Sequence, residues 1–192
     1  MPFLREAATA GARFIATPEN TMRLDRDRDR VLRRGGVEVH LTATEWDLLR
    51  TCDGLGVEKV ILSGYTPYPK LKDDPRLPHL SEKIHAQISK TALGAENSVR
   101  IERQAEIKNV LDQLSSEGYV LAALEQSDSA ISLPAYRTPE KIALLLGSEV
   151  TGIDKALLEQ IETHLEIPMY GKKESFNVVE ATSMALYHFR FY

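Results

Sequence analysis

Two stretches in the last quarter of the 192-residue chain hold residue types that can do chemistry. In residues 144–154, LLLGSEVTGID, an apolar run stops at Gly147, passes Ser148 and Glu149, and restarts after Gly152. In residues 165–186, LEIPMYGKKESFNVVEATSMAL, a strand-like piece carrying Ile167 and Met169 gives way to a loop with Gly171, Lys172, Lys173, Ser175 and Asn177. Both read as a buried strand whose C-terminal end opens into a polar loop containing glycine. Glycine lets backbone approach a ligand closely, and open α/β sheets bind cofactors beyond the C-terminal ends of their strands. Upstream, Arg50 in LLRTCDGLG carries a permanent charge on a planar fork that fits a phosphate. Taken singly, each type is ordinary: a glycine packs, a serine or asparagine makes a turn or cap, an arginine solvates a helix.

Taken together and in order, LLLGSEVTGI and IPMYGKKESFNVVEA resemble motifs 2 and 3 of the SpoU (TrmH-like) branch of the SPOUT RNA methyltransferases. Those motifs run roughly apolar-apolar-G-N-E-x-x-G-apolar and I-P-M-x-G-x-x-x-S-L-N-V-S-x-A. The similarity continues through GVEKVILSGYTPYP, SKTALGAENSV and GYVLAALEQS, and so covers roughly residues 50–192. The resemblance implies an α/β-knot fold, a parallel sheet covered by helices on both faces with a C-terminal trefoil knot. It implies transfer of a methyl group from S-adenosylmethionine to a ribose 2′-hydroxyl of tRNA or rRNA by a cytoplasmic homodimer.

Matched by motif, the resemblance assigns cofactor binding to Gly147, Ile167, Met169, Gly171 and Phe176, largely through main chain. A β-branched residue at Gly147 would then fill the cofactor's approach. Catalysis falls to Arg50, Glu149, Ser175 and Asn177, the last three able to orient the acceptor ribose and organise the loops. Departures are small in motifs 2 and 3: Ser148 stands for Asn, Phe176 for Leu, and Glu180 for Ser. Motif 1 departs further. In N-x-x-x-x-x-R-T the arginine matches Arg50, but Thr44 replaces the asparagine and Trp46 a glycine, with Glu45 and Asp47 adding negative charge. Asn at 44 and Gly at 46 would restore the motif. The alternative reading is a catalytically impaired RNA- or cofactor-binding protein of the same fold.

Composition sets the bounds. A net charge of −4 gives no bulk attraction for nucleic acid, so RNA contact needs a local basic patch. No apolar run approaches the length of a membrane span, and the first residues lack the layout of a secretory signal. Cys52, a lone cysteine, excludes an internal disulfide, fits a reducing cytosol, and reads as a small buried helix residue. Residues 1–50 carry nine arginines and no lysine, while residues 51–192 carry ten lysines and five arginines. That split points to two origins, with residues 1–36 a divergent extension and residues 37–192 the methyltransferase domain. Residues 17–50 are similar to the start of a response-regulator winged-helix domain, through V-x-L-T-x-x-E-W-x-L-L. No recognition helix or wing follows, so duplex DNA is not the expected partner.

The elements that must position these residues alternate. The Ala-rich residues 1–16 predict a helix, and VEVHL a strand after the Gly35-Gly36 turn. EWDLLRTCDGL predicts a helix, VEKVILSG a strand covered on both faces, and SEKIHAQISKTAL a helix capped by Ser81. VRIERQ, YVLAALE, IALLLG and HLEIPM predict further strands. AEIKNVLDQLSSEG, DKALLEQIET and the stretch from Asn177 onward predict helices, with SDSAISLPAYRTPE a polar loop. The five histidines are scattered and show no metal-ligand spacing.

Overall fold

The computed structural model describes residues 11–16, 32–34, 37–39, 45–63, 66–147 and 152–192. In chain order, strand β1 (Gly11–Ala16) precedes a short antiparallel pair, β2 (Leu32–Arg34) and β3 (Val37–Val39). A 3-10 turn at Glu45–Asp47 leads into α1 (Leu48–Leu55), then β4 (Lys59–Ser63), α2 (Pro78–Ala92), α3 (Ala95–Ser98) and β5 (Ile101–Gln104). Next come α4 (Ile107–Ser116), β6 (Val120–Leu124), β7 (Ile131–Ser132), β8 (Lys141–Leu146), α5 (Lys155–Leu158), β9 (Thr163–Glu166) and α6 (Val178–Phe191). Seven strands form one sheet in the order β5-β4-β1-β8-β6-β9-β7, and every neighbouring pair is parallel.

A parallel sheet needs cover on both faces, and strand periodicity supplies it. Val60, Leu62, Ile142, Leu144, Leu146, Ala122 and Leu165 point to one side, into a core shared with Leu49 and Cys52 of α1, Ile84 and Ile88 of α2, and Ala185, Leu186 and Phe189 of α6. Their neighbours Ile61, Ala143, Leu145 and Ala123 point to the other, against Val110, Leu111 and Leu114 of α4 and Leu157 of α5. The central strands β4 and β8 are apolar on both faces because each face meets helices. Cys52 is fully buried, and burial pushes its thiol up to about 12.

Several expectations are corrected. The helix expected over residues 1–16 is a strand from Gly11 on, in the middle of the sheet between β4 and β8. Pairing on both edges outweighs helix propensity there, and Phe14 and Ile15 favour a strand. Ser81 does not cap α2. The helix begins three residues earlier at Pro78, whose fixed φ suits a first helical position, and Ser81 is buried with Oγ donating to the Pro78 carbonyl at 3.0 Å. The polar loop after β6 contains β7 and a 3-10 turn whose Leu133 is buried. The helix expected over DKALLEQIET is one turn, and β9 ends at Glu166, so Ile167-Pro168-Met169 belongs to the following loop. Most of the winged-helix-like stretch, Thr44 included, lies outside the described residues. Its β2–β3 pair flanks Gly35 and Gly36, where the sequence predicted a turn and which lie outside the described residues.

Candidate active site

Strands β8, β6 and β9 are adjacent and parallel, so their C-terminal ends open on one edge of the sheet. There they enclose a cavity of about 400 Å³, completed by the first turn of α6. Leu124, Leu146, Leu165, Ile167, Met169 and Phe176 give it apolar walls, and Gly147, Gly152 and Ser175 open backbone and hydroxyl groups into it. Three carboxylate side chains, Glu125, Glu166 and Glu174, are among the lining, which holds no Lys, Arg or His.

At the end of β8 the backbone of Gly147 closely approaches that of Gly152 and Ile153. A Cβ on Gly147 would fall within contact distance of the carbonyl carbon and oxygen of Gly152 and the nitrogen of Ile153. Only glycine fits this crossing of two backbone segments. Gly152 has φ +70°, and a Cβ there would stand 2.5 Å from Glu125 Oε2. That same oxygen accepts the Ile153 N–H at 3.2 Å. The chain then enters α5 through Asp154, whose Oδ1 accepts from Ala156 N at 2.8 Å and Leu157 N at 3.2 Å.

The second loop runs from Ile167 to the start of α6. Gln126 Nε2 donates to the Glu174 carbonyl at 2.9 Å and ties this loop to the end of β6. Lys173 and Glu174 pair at 3.0 Å in open solvent. Asn177 caps α6, its Oδ1 accepting from Glu180 N at 2.8 Å. This is an ordinary N-cap, in which a short polar side chain satisfies an orphan helix donor.

The cavity therefore gathers Gly147, Ile167, Met169, Ser175 and Phe176 from the residues expected in the site. Gly171 is not part of the lining; it is exposed, and a Cβ there would meet nothing within 4 Å. Asn177 stands beside the cavity as a cap. Glu149 and Ser148 lie outside the described residues. Arg50 sits on α1, half-exposed and away from the cavity lining, with its guanidinium donating to Asp47 Oδ1 at 2.9 Å. Helix α1 nonetheless packs against α6, where Thr51 Oγ1 and Ser183 Oγ meet at 3.1 Å.

Sequence reasoning assigned no role to Glu125 and Gln126, although they line the cavity and hold both of its loops. The available signal was their position. They follow a near-continuous apolar strand at its C-terminal end, as Gly147 does.

Residues 47–187 match the model of the SpoU rRNA Methylase family. The chain is 28% identical over 145 residues to the 23S rRNA (guanosine(2553)-2′-O)-methyltransferase RlmP of Bacillus subtilis, covering 74% of this chain and 51% of that protein. It is 29% identical over 145 residues to a tRNA (guanosine(18)-2′-O)-methyltransferase of Saccharomyces cerevisiae, covering 74% of this chain but 9% of the yeast protein. The chain thus spans about half the length of the Bacillus relative. Among solved structures, an AdoMet-bound rRNA methyltransferase from Sinorhizobium meliloti superposes with a TM-score of 0.68 at 16% identity, over 96% of this chain and 57% of that one. A structure described as giving insights into the 2-OH methylation of C/U34 on tRNA superposes with a TM-score of 0.62 at 21% identity, over 93% of this chain and 92% of the other.

Proposed function

Because the chain belongs to the SpoU rRNA methylase family, we propose that it transfers a methyl group from S-adenosylmethionine to a ribose 2′-hydroxyl of tRNA or rRNA. The observation that carries this reading is the single cavity that gathers Gly147, Ile167, Met169, Ser175 and Phe176 at the ends of three parallel strands. Its size suits a nucleoside-sized ligand. Its apolar walls suit an adenine, and the carboxylates of Glu125 and Glu166 suit a ligand with net positive charge, while that of Glu174 is paired with Lys173. When bound, S-adenosylmethionine supplies an electrophilic methyl group on a sulfonium sulfur. The protein's part is to hold, aim and desolvate. Gly147 and the loop from Ile167 present main-chain groups, Phe176 and Met169 exclude water, and Ser175 offers a hydroxyl to the acceptor ribose. Arg50 anchors an RNA phosphate; its charge is permanent, so it orients and stabilises an anion and does not act as the base at neutral pH. Glu149 and Asn177 complete the proposed polar set, Asn177 by fixing the start of α6.

We further infer a homodimer. Helix α6 leaves Tyr187, Phe191 and Tyr192 exposed at 52%, 57% and 77%, beside an apolar groove lined by Leu133, Pro134, Met184 and His188. A second copy covering that face would bring the α1 that packs on α6, and with it Arg50, to the interface. The methyltransferase domain, expected from residue 37 onward, is proposed to take in Gly11–Ala16 as well, since that strand lies between β4 and β8, and to carry the family's C-terminal knot. No helix among the described residues is long and apolar enough to cross a membrane, and the proposed place of action is the cytoplasm.

A second reading, a binding protein impaired in transfer, is favoured by one observation: Asp47 occupies the guanidinium that RNA phosphate would take. Calorimetric titration with S-adenosylmethionine, then a tritiated-methyl assay on bulk tRNA and rRNA, tests both. Binding with transfer supports the enzyme, binding without transfer supports the second reading, and absence of binding removes the cavity assignment.

A further inference from the structure

Glu125 and Gln126 are consecutive residues at the end of β6, and each reaches a different loop of the cavity. The Glu125 carboxylate accepts the Ile153 N–H at 3.2 Å, at the crossing where Gly147 meets Gly152. The Gln126 amide donates to the Glu174 carbonyl at 2.9 Å, just before Ser175 and Phe176. Strand β6 lies between β8 and β9, the strands from which those two loops spring, and Glu125 N is itself bonded to the Leu165 carbonyl at 3.0 Å.

We propose that Glu125 and Gln126 form a clasp, a pair of positioning residues through which β6 holds both loops of the cavity in register with each other. The proposal rests on the reading of the cavity as the S-adenosylmethionine site and assigns the two residues to cofactor affinity rather than to the chemical step. The residue types fit the work. Position 125 must accept from a backbone N–H, and a carboxylate accepts more strongly than a neutral group. It can reach Ile153 only because residue 152 is glycine, since a side chain there would stand 2.5 Å from the same oxygen. Position 126 must donate to a backbone carbonyl, which an amide does and a carboxylate does not. Both residues lie just past the end of β6, between the ends of β8 and β9, so one dipeptide can serve two loops. With both bonds made, Ile153 and Glu174 are already placed before binding, which lowers the entropy cost of closing on a ligand.

Two measurements separate this from a merely structural role. The first uses the protein alone. In Glu125→Ala the Ile153 amide should exchange at least tenfold faster, and in Gln126→Glu the amides around Ser175 should do so, while the global unfolding midpoint stays put. Glu125→Gln keeps an acceptor oxygen and should preserve Ile153 protection. The second is calorimetry with S-adenosylmethionine. Each disruptive variant should weaken binding about three- to tenfold. The double variant should weaken it by less than the product of the two, because one freed loop already spoils the register. In transfer assays the loss should fall more heavily on the KM for S-adenosylmethionine than on kcat. Unaltered exchange at both loops overturns the clasp. Faster exchange with strictly multiplicative losses overturns the coupling and leaves two independent contacts. If the wild-type protein binds no cofactor, the reading of the cavity and the clasp's part in it both fall, while the exchange data still report whether the loops are held.

Discussion

Gly147 and Gly171 share a residue type and an assignment in the sequence, yet the fold gives them opposite sensitivities. Replacing Gly147 by alanine places a methyl group against the backbone of Gly152 and Ile153. Gly147 does not have the positive φ found at Gly152, so its own conformation accepts a side chain and the obstacle is space alone. No side chain can swing away, because every atom the methyl meets is main chain. Overpacking of a close-packed core costs about 1–3 kcal/mol, and the upper end applies where only backbone can yield. For a chain of this size each kcal/mol lowers Tm by about 2–4 °C, so the expected loss is roughly 6–12 °C.

Gly171→Ala is the matched control. That position is exposed with open space around it, and removing chain entropy from the unfolded state should leave stability unchanged or raise it by about 0.4–1 kcal/mol. Thermal unfolding followed by circular dichroism, without cofactor, reads both. Gly147→Ala should melt well below the wild type, Gly171→Ala at or above it. Calorimetry should then show weakened S-adenosylmethionine binding for the first alone. The sequence-based expectation was a side chain blocking the cofactor's approach, which would spare the empty protein. Equal melting of Gly147→Ala and wild type would refute the crossing argument and restore that simpler one.

Trp46→Gly, which restores the family residue, should cost about 3–5 kcal/mol in urea unfolding and lower activity, because Trp46 is 6% exposed within the core. Arg50→Ala should reduce methyl transfer by about 10²–10³ while leaving cofactor affinity nearly intact. Asp47→Asn frees the same guanidinium and should raise RNA affinity in filter binding at low salt, a gain that fades as salt screens the charges. Asp74, held by the Arg76 guanidinium that stacks on Tyr68, has its pKa lowered from 3.8 to about 2. A depressed folded value stabilises above the unfolded value and is lost as pH falls through the folded one, so urea midpoints of wild type and Asp74→Asn should differ at neutral pH and converge toward about pH 2.

Much of the sheet was readable because burial on both faces leaves an unmistakable trace. KVILS and KIALLL are near-continuous apolar runs, and their alternate residues do face separate cores. What was misread has a physical reason in each case. The strand Gly11–Ala16 is decided by partners distant in sequence, β4 and β8, which no local propensity reports. Ser81 looked like a cap because cap chemistry is local, but Pro78 offered an equally local start one turn earlier. Part of the cavity lining was legible through backbone chemistry, since Gly147 announces close approach of main chain by the side chain it lacks. Glu125 and Gln126 were not, because their function lies in two hydrogen bonds that span 28 and 48 residues of chain.

Motif 1 is where sequence and structure bear most directly on each other. Two residues of the altered motif, Trp46 and Asp47, sit within one turn, and they act in different ways. Trp46 is absorbed: it is buried among α1, α2 and α6, and its indole Nε1 has no hydrogen-bond partner among the described residues. Such an orphan donor costs about 1–3 kcal/mol, so the large ring holds its place through apolar contact and not through its polar atom. Asp47 is not absorbed. It remains half-exposed and spends its charge on Arg50, three residues on. A surface pair of this kind contributes at most about 1 kcal/mol, which a polyanion can outbid. The two are therefore unequal in consequence. Removing Trp46 would dismantle a core that has been built around it, whereas the Asp47 pairing sets only a small threshold that an anion would have to exceed to claim Arg50.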